Sequence, residues 1–238
     1  METTAARKPV RFLAQDWRKY TPSQHEVWAT LYRRRMEALR TTASQVFLDG
    51  AEAIGLKPDQ IPNLAEVNKR LERRTGWRAV PVSGFLPARE FFACLAARHF
   101  PTTITIRSPQ SLDYVPEPDI FHDVFGHVPL HADPTFAGFL QRFGAVAAAA
   151  RTEVETEHLA RLFWFTVEFG LIRERGEPRI YGSGLISSHA DAAHALGPDC
   201  ERRPFTVEAA MAQGFVIDKL QDVLFVIESF DDLFGAVR

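Results

Sequence analysis

Two histidines stand five residues apart, at positions 122 and 127, in the segment Pro116-Glu117-Pro118-Asp119-Ile120-Phe121-His122-Asp123-Val124-Phe125-Gly126-His127-Val128-Pro129-Leu130. In an unbroken α-helix of about 3.6 residues per turn their side chains point about 140° apart and cannot share one ion. Pro118 fits the first turn of a helix, Gly126 the position just past its end, and Pro129 forbids continuation. The predicted local structure is a short helix with His122 in its last turn. A turn at Gly126 then folds His127 back so that both imidazoles converge. The spacing is not the i, i+4 pair of the zinc protease motif. His131 is a rival ligand, but it follows Pro129 in a predicted loop, where an exposed histidine is unremarkable, and it ranks below the other two.

Histidines near a helix end also serve as caps or buried hydrogen-bonders, so two alone do not make a metal site. A third ligand is available in Phe163-Trp164-Phe165-Thr166-Val167-Glu168-Phe169-Gly170. A lone carboxylate among so many aromatics is costly to bury unless it is paired or binds a metal. Arg161 and Arg173 are the alternative partners for Glu168. Two histidines and one carboxylate on one face of an ion leave open positions, the arrangement of non-haem Fe(II) oxygenases.

The rest of the chain reads as mainly α with a few short strands. Residues 1–19 form a loose N-terminal tail in this reading, and 1–238 a single catalytic domain. Thr21-Pro22-Ser23-Gln24 opens a helix with a capping box and a proline at its first position. Asn63 opens another, ending near Gly76. Strands are expected over 78–84, 102–106 and 222–230, and helices over 87–100 and 155–170. Asp133-Pro134 starts a helix whose Phe136, Phe139, Leu140, Phe143 and Val146 follow the helical repeat. The chain has 238 residues, with 28 basic and 30 acidic side chains for a net charge of −2. Such a balance gives no field to attract nucleic acid or an anionic membrane, and the Arg33-Arg34-Arg35 run reads as a solvated face. The longest near-apolar stretch, 144–150, is far short of the ~20 residues of a membrane helix. No signal peptide is visible at the N-terminus. Cys94 and Cys200 read as two reduced thiols, which suits a cytoplasmic protein.

The segment around His122 and His127 resembles the iron-binding signature of the pterin-dependent aromatic amino acid hydroxylases. The string around Glu168 resembles their second iron segment, and Tyr181-Gly-Ser-Gly-Leu-Ile-Ser-Ser188 a third. Order and spacing match from about Tyr20 to Phe230, and within the family the match is nearest the bacterial phenylalanine-hydroxylating members. The resemblance implies the family's mainly helical catalytic domain, with Fe(II) on His122, His127 and Glu168. It implies a tetrahydropterin (tetrahydrobiopterin or a relative) as cosubstrate, and hydroxylation of L-phenylalanine to L-tyrosine with O2. Arg107 matches the residue that grips the substrate carboxylate, as a guanidinium does bidentately. Trp164, Pro116, Ser187 and Ser188 match further substrate-pocket positions. Phe91 matches a ring that stacks on the pterin, with Leu86 and Asp123 nearby.

There are departures. Val115 stands where animal members carry threonine, Ala88 where they carry serine, and Asp123 where they carry glutamate. The animal regulatory domain and C-terminal assembly helix are not seen, so a monomer is expected. Ile217 matches a site that is apolar in phenylalanine-hydroxylating members and acidic in tyrosine-hydroxylating ones. A tryptophan- or meta-hydroxylating relative, a zinc hydrolase with the same ligand types, and a helical binding protein with core histidines are the competing readings.

Overall fold

The structure, a computed structural model, describes residues 12–84, 86–113, 115 and 117–236. Helix α1 spans Pro22–Thr42 and starts as expected, with Thr21 and Gln24 forming a reciprocal capping box. It is followed by α2 (Gln45–Ala53) and α3 (Leu64–Thr75), the latter capped by the Asn63 side chain and ended by Gly76 in the left-handed region at φ 74°. Strand β1 (Arg78–Pro81), helix α4 (Ala88–Ala96) and strand β2 (His99–Thr102) form a right-sized βαβ unit whose two strands pair in parallel. The second strand thus begins three residues before the expected 102–106. Arg98, at φ 59°, turns the chain early, so that Phe100 rather than Ile104 enters the ladder opposite Ala79.

The chain then runs through the histidine segment to α5 (Pro134–Ala148), α6 (Glu153–Phe163), β3 (Leu171–Glu174) and β4 (Glu177–Ile180). The unexpected β3–β4 hairpin turns on Arg175 and Gly176, both at positive φ (54° and 84°), as a tight hairpin connection requires. Short helices α7 (Ser183–Ser187) and α8 (His189–Leu196) lead to β5 (Glu201–Pro204), α9 (Val207–Ala212), β6 (Val223–Ile227) and α10 (Phe230–Gly235). The second sheet has the order β4-β3-β6-β5, antiparallel only at β3–β4.

One apolar core joins these elements. Trp28 of α1, Phe47 of α2, Phe121 and Phe125 are all fully buried, and Phe121 stacks on Phe125 with centroids 4.5 Å apart. On α5 the buried face is Phe136, Phe139, Leu140, Phe143 and Ala147, while Val146 is exposed, one step off the stripe. The segment expected to be loose is tied down from Phe12 onward. Phe12 bridges to Val82, Trp17 Nε1 donates to Ile61 O at 2.6 Å, and Gln15 Oε1 accepts from Leu64 N at 2.8 Å. The residues before it lie outside those described. Cys94 and Cys200 are free and buried. Among the described residues no helix is long and apolar enough to cross a membrane.

Helix α2 packs so closely on the histidine segment that a Cβ on Gly50 would overlap the carbonyl of Pro129. The opposing atoms are backbone and cannot swing away. Gly50→Ala is expected to lower unfolding free energy by about 1–3 kcal/mol in urea titration, despite alanine's better helix propensity.

Candidate metal centre and its cavity

The backbone of Phe121–His127 is wound as a π-helix and passes directly into a 3-10 helix at Val128–Ala132. In a π-helix each N–H bonds five residues back, so residues five apart come round to nearly the same face. This is how His122 and His127 converge, and it replaces the turn expected at Gly126. Gly126 is needed for closeness instead: a Cβ there would stand 3.0 Å from Ser183 O and 3.2 Å from Ser183 Cβ of α7. Pro129 does not break the chain's course, because it sits in the first turn of the 3-10 helix, where a missing N–H is harmless.

Glu168 arrives by the same device. After α6 the chain widens into a π-turn over Trp164–Glu168, closed by Phe169 N to Trp164 O at 2.9 Å. The expected continuous helix over 155–170 therefore ends at Phe163. The Thr166 hydroxyl bonds back to Leu162 O at 2.6 Å within this turn. Arg161 pairs with Glu157 and Arg173 with Glu228, so neither neutralises Glu168.

One ligand atom from each of His122, His127 and Glu168 lies within 4.8 Å of the others. Glu168 Oε1 is 3.1 Å from His127 Nε2, and Oε2 is 3.7 Å from His122 Nε2. The other nitrogen of His122, Nδ1, is 2.9 Å from Ser187 Oγ, which fixes the ring and leaves Nε2 facing the cluster. Burial pushes the His122 imidazole toward its neutral, metal-binding form. Burial alone would push the Glu168 carboxyl up, but the two imidazoles and the Ser183 hydroxyl outweigh it and hold it at about 2. An anionic carboxylate beside the neutral His122 imidazole suits a divalent first-row ion.

The cluster opens on a cavity of about 360 Å³ lined mostly by apolar and aromatic side chains. Leu86, Phe91, Asp123 and Trp164 line it with the three ligands, as do Ala88 and Ile217. Trp164 is stacked between Phe215 (4.4 Å) and Phe169 (4.6 Å). Ile217 is 69% exposed, on the cavity rim rather than in the core. Asp123 accepts from Thr103 N at 2.6 Å, and burial pushes its carboxyl up.

Arg107, Ser187 and Ser188 are not among the residues lining this cavity. Arg107 lies against Asp119, donating from Nε to Oδ2 at 2.8 Å and from Nη2 to Oδ1 at 2.9 Å. Ser187 serves His122, and Ser188 caps α8 through Asp191. Pro116 lies outside the described residues.

The family described as biopterin-dependent aromatic amino acid hydroxylase matches residues 16–238. The chain belongs to that family. It is 42% identical to the phenylalanine-4-hydroxylase of Caulobacter vibrioides, over 97% of this chain and 81% of that one. It is also 40% identical to the tyrosine 3-monooxygenase of Canis lupus familiaris, over 92% of this chain and 45% of that one. The solved phenylalanine hydroxylase of Chromobacterium violaceum, with bound iron(III) and 7,8-dihydrobiopterin, superposes with a TM-score of 0.91. That pair is 41% identical, covering 94% of this chain and 82% of the other. The fold is therefore the hydroxylase catalytic domain, and the His122–His127–Glu168 cluster fits the two-histidine, one-carboxylate triad of an iron hydroxylase.

Two features of this hydroxylase site escaped the sequence reading. Ser183, fully buried, touches both Glu168 and His127. The only signal was its place in the Gly-Ser-Gly string. His131 is not an exposed loop residue. It is fully buried against Trp77 and Phe100, with Nδ1 2.9 Å from His127 O and Nε2 without a partner.

Burial drives the His131 pKa down to about 3, against about 6.5 for a free imidazole. The unfolded chain therefore takes up this proton first. The stability contribution is whole above about pH 6.5 and is lost as pH falls toward about 3, at about 1.4 kcal/mol per pH unit between. His131→Asn, which keeps a donor near His127 O, is expected to flatten the stability–pH slope of the metal-free protein by about that amount between pH 6 and 4. Equal slopes in urea titrations of the two proteins would assign the acid sensitivity elsewhere.

Proposed function

We propose that this chain is a phenylalanine 4-monooxygenase, hydroxylating L-phenylalanine to L-tyrosine with O2 and a tetrahydropterin at Fe(II). The observation that carries the reading is the two-histidine, one-glutamate cluster at the wall of an aromatic cavity. Iron bound by His122, His127 and Glu168 would supply the redox chemistry of O2 activation, with the pterin as reductant. One oxygen atom enters the ring of phenylalanine and the other ends on the pterin.

The protein's own share is positioning and exclusion of water. Trp164, wedged between Phe169 and Phe215, offers a rigid aromatic wall for the substrate ring. Phe91 and Leu86 offer an apolar face to the pterin, and Asp123 a polar edge. Arg107 suits the substrate carboxylate. Its Nε, one N–H of Nη2 and one of Nη1 are taken by Asp119 and Leu112 O. One N–H on each terminal nitrogen is left for a further acceptor. Ser187 acts through His122 in this reading, and Ser188 through the start of α8. The described residues share one core, which supports a single catalytic domain. The near-even charge and the reduced thiols suit a cytoplasmic protein acting on small molecules and not on nucleic acid.

Anaerobic Fe(II) loading followed by phenylalanine, a tetrahydropterin and air is expected to yield tyrosine by chromatography. His122→Ala, His127→Ala and Glu168→Ala are each expected to abolish it while circular dichroism stays native. Full activity in any of the three sinks the ligand assignment.

Phenylalanine is preferred to tyrosine in this reading. A phenol hydroxyl carried into the apolar cavity gains no partner from Phe215 or from Ile217 at its rim, and its unpaired burial costs on the order of 1–3 kcal/mol. In a competition assay tyrosine is expected to be the poorer substrate by about tenfold or more. Dihydroxyphenylalanine as the main product would reverse the preference.

A further inference from the structure

Ser183 opens α7 but does not cap it: the N-cap is Gly182, with no side-chain bond. Its hydroxyl is instead turned toward the metal ligands. Oγ is 2.7 Å from Glu168 Oε2, 2.9 Å from His127 Nε2 and 3.3 Å from Val167 O. A hydroxyl has one proton, and an ionised carboxylate at the shorter distance takes it in preference to a peptide carbonyl.

The backbone is shaped to bring it there. A Cβ on Gly182 would overlap the Glu168 carbonyl, and one on Gly126 would press on Ser183 from the histidine side. A larger residue at Gly182 would hold α7 off the Glu168 segment, and one at Gly126 would make α7 give by a few tenths of an ångström. The terminal torsion of a glutamate is broad and two-fold, so packing of the chain to Cγ does not by itself set the carboxylate plane.

We propose that Ser183 is a positioning residue of the metal centre, holding the Glu168 carboxylate in one orientation by a hydrogen bond to Oε2. That bond occupies one side of Oε2 and leaves Oε1, beside His127 Nε2, turned to the cluster. The inference rests on the reading of His122, His127 and Glu168 as ligands. Replacement by alanine removes one atom and breaks no capping bond of α7.

The test uses the full chain stripped of metal, as wild type and Ser183→Ala. Co(II) is titrated anaerobically by calorimetry, the visible absorption of each Co(II) form is recorded, and the metal-free proteins are melted. Outer-sphere partners of metal ligands commonly contribute about 10–100-fold in affinity. The expected result is Co(II) binding at least about tenfold weaker in Ser183→Ala, a changed Co(II) spectrum, and matching melting of the metal-free forms. Equal affinity and equal spectra overturn the proposal. So does a lowered metal-free melting temperature with an unchanged Co(II) spectrum, which would make Ser183 a packing residue only. A wild type that binds no Co(II) removes the ligand assignment itself, and this inference with it.

Discussion

In an α-helix no choice of rotamer brings side chains five apart onto one ion, so the ligand set depends on how the backbone is wound at Phe121–His127. The π-helical turn solves this, but it is a rare conformation whose widened rings pack less well along the axis. Neighbouring contacts over-determine it here. Phe121 and Phe125 stack on each other and meet Trp28 edge-on, fixing one side of the turn. Gly126 lets α7 press on the other side. Arg35 of α1 is buried, not part of the solvated face expected of the Arg33-Arg34-Arg35 run, and binds the carbonyls of Leu185 and Ile186 at 3.0 and 2.8 Å, which holds α7 in place. Glu168 also sits on a π-turn. Every ligand is thus carried by backbone that is locally unfavourable and held from outside.

That arrangement explains the density of aromatic and glycine contacts around the centre. Phe100, which also lines the cavity, lies 4.6 Å from the His127 ring and 4.9 Å from His131, and so packs between the two. His131 anchors the His127 carbonyl, and Thr75 Oγ1 in turn donates to His131 O at 2.7 Å. Neutral His131 is costly to protonate in this place, and the same burial that makes it acid-sensitive keeps the segment rigid near neutrality. Rigidity favours a ligand set, because side chains already oriented lose little freedom when an ion arrives.

Much of this was legible in residue order. Helix starts at Thr21, Asn63 and Asp133 carry side-chain acceptors that act locally, so they could be read without tertiary knowledge. The ligand trio was legible from residue type and from the cost of burying Glu168 alone. The winding that unites it was not: Gly126 and Pro129 look like a helix stop, and only the approach of α7 and α2 makes them parts of a continuous path. Ser187 and Ser188 looked like a pair with one role. Their neighbours divide them, one toward His122 and one toward Asp191. His131 was misread for the same reason, since the residues that bury it, Trp77 and Phe100, are remote in sequence.

Asp119 joins the two halves of the site. Its Oδ2 accepts from Arg107 N at 3.0 Å and Nε at 2.8 Å, and its Oδ1 from Arg107 Nη2 at 2.9 Å and His122 N at 3.1 Å. Burial would push this carboxyl up, but the Arg107 guanidinium outweighs it and holds the group below its usual range. A buried ion pair of this kind adds little net stability over an apolar pair, yet removing one partner strands a charge and is strongly destabilising. Its use is therefore in geometry. One carboxylate sets the fork of Arg107 and accepts from the His122 N–H in the first turn of the π-helix. The guanidinium and the nearer ligand cannot shift independently. Arg107 and the segment that carries His122 are then held in one fixed relation, the condition under which groups on separate segments can act together.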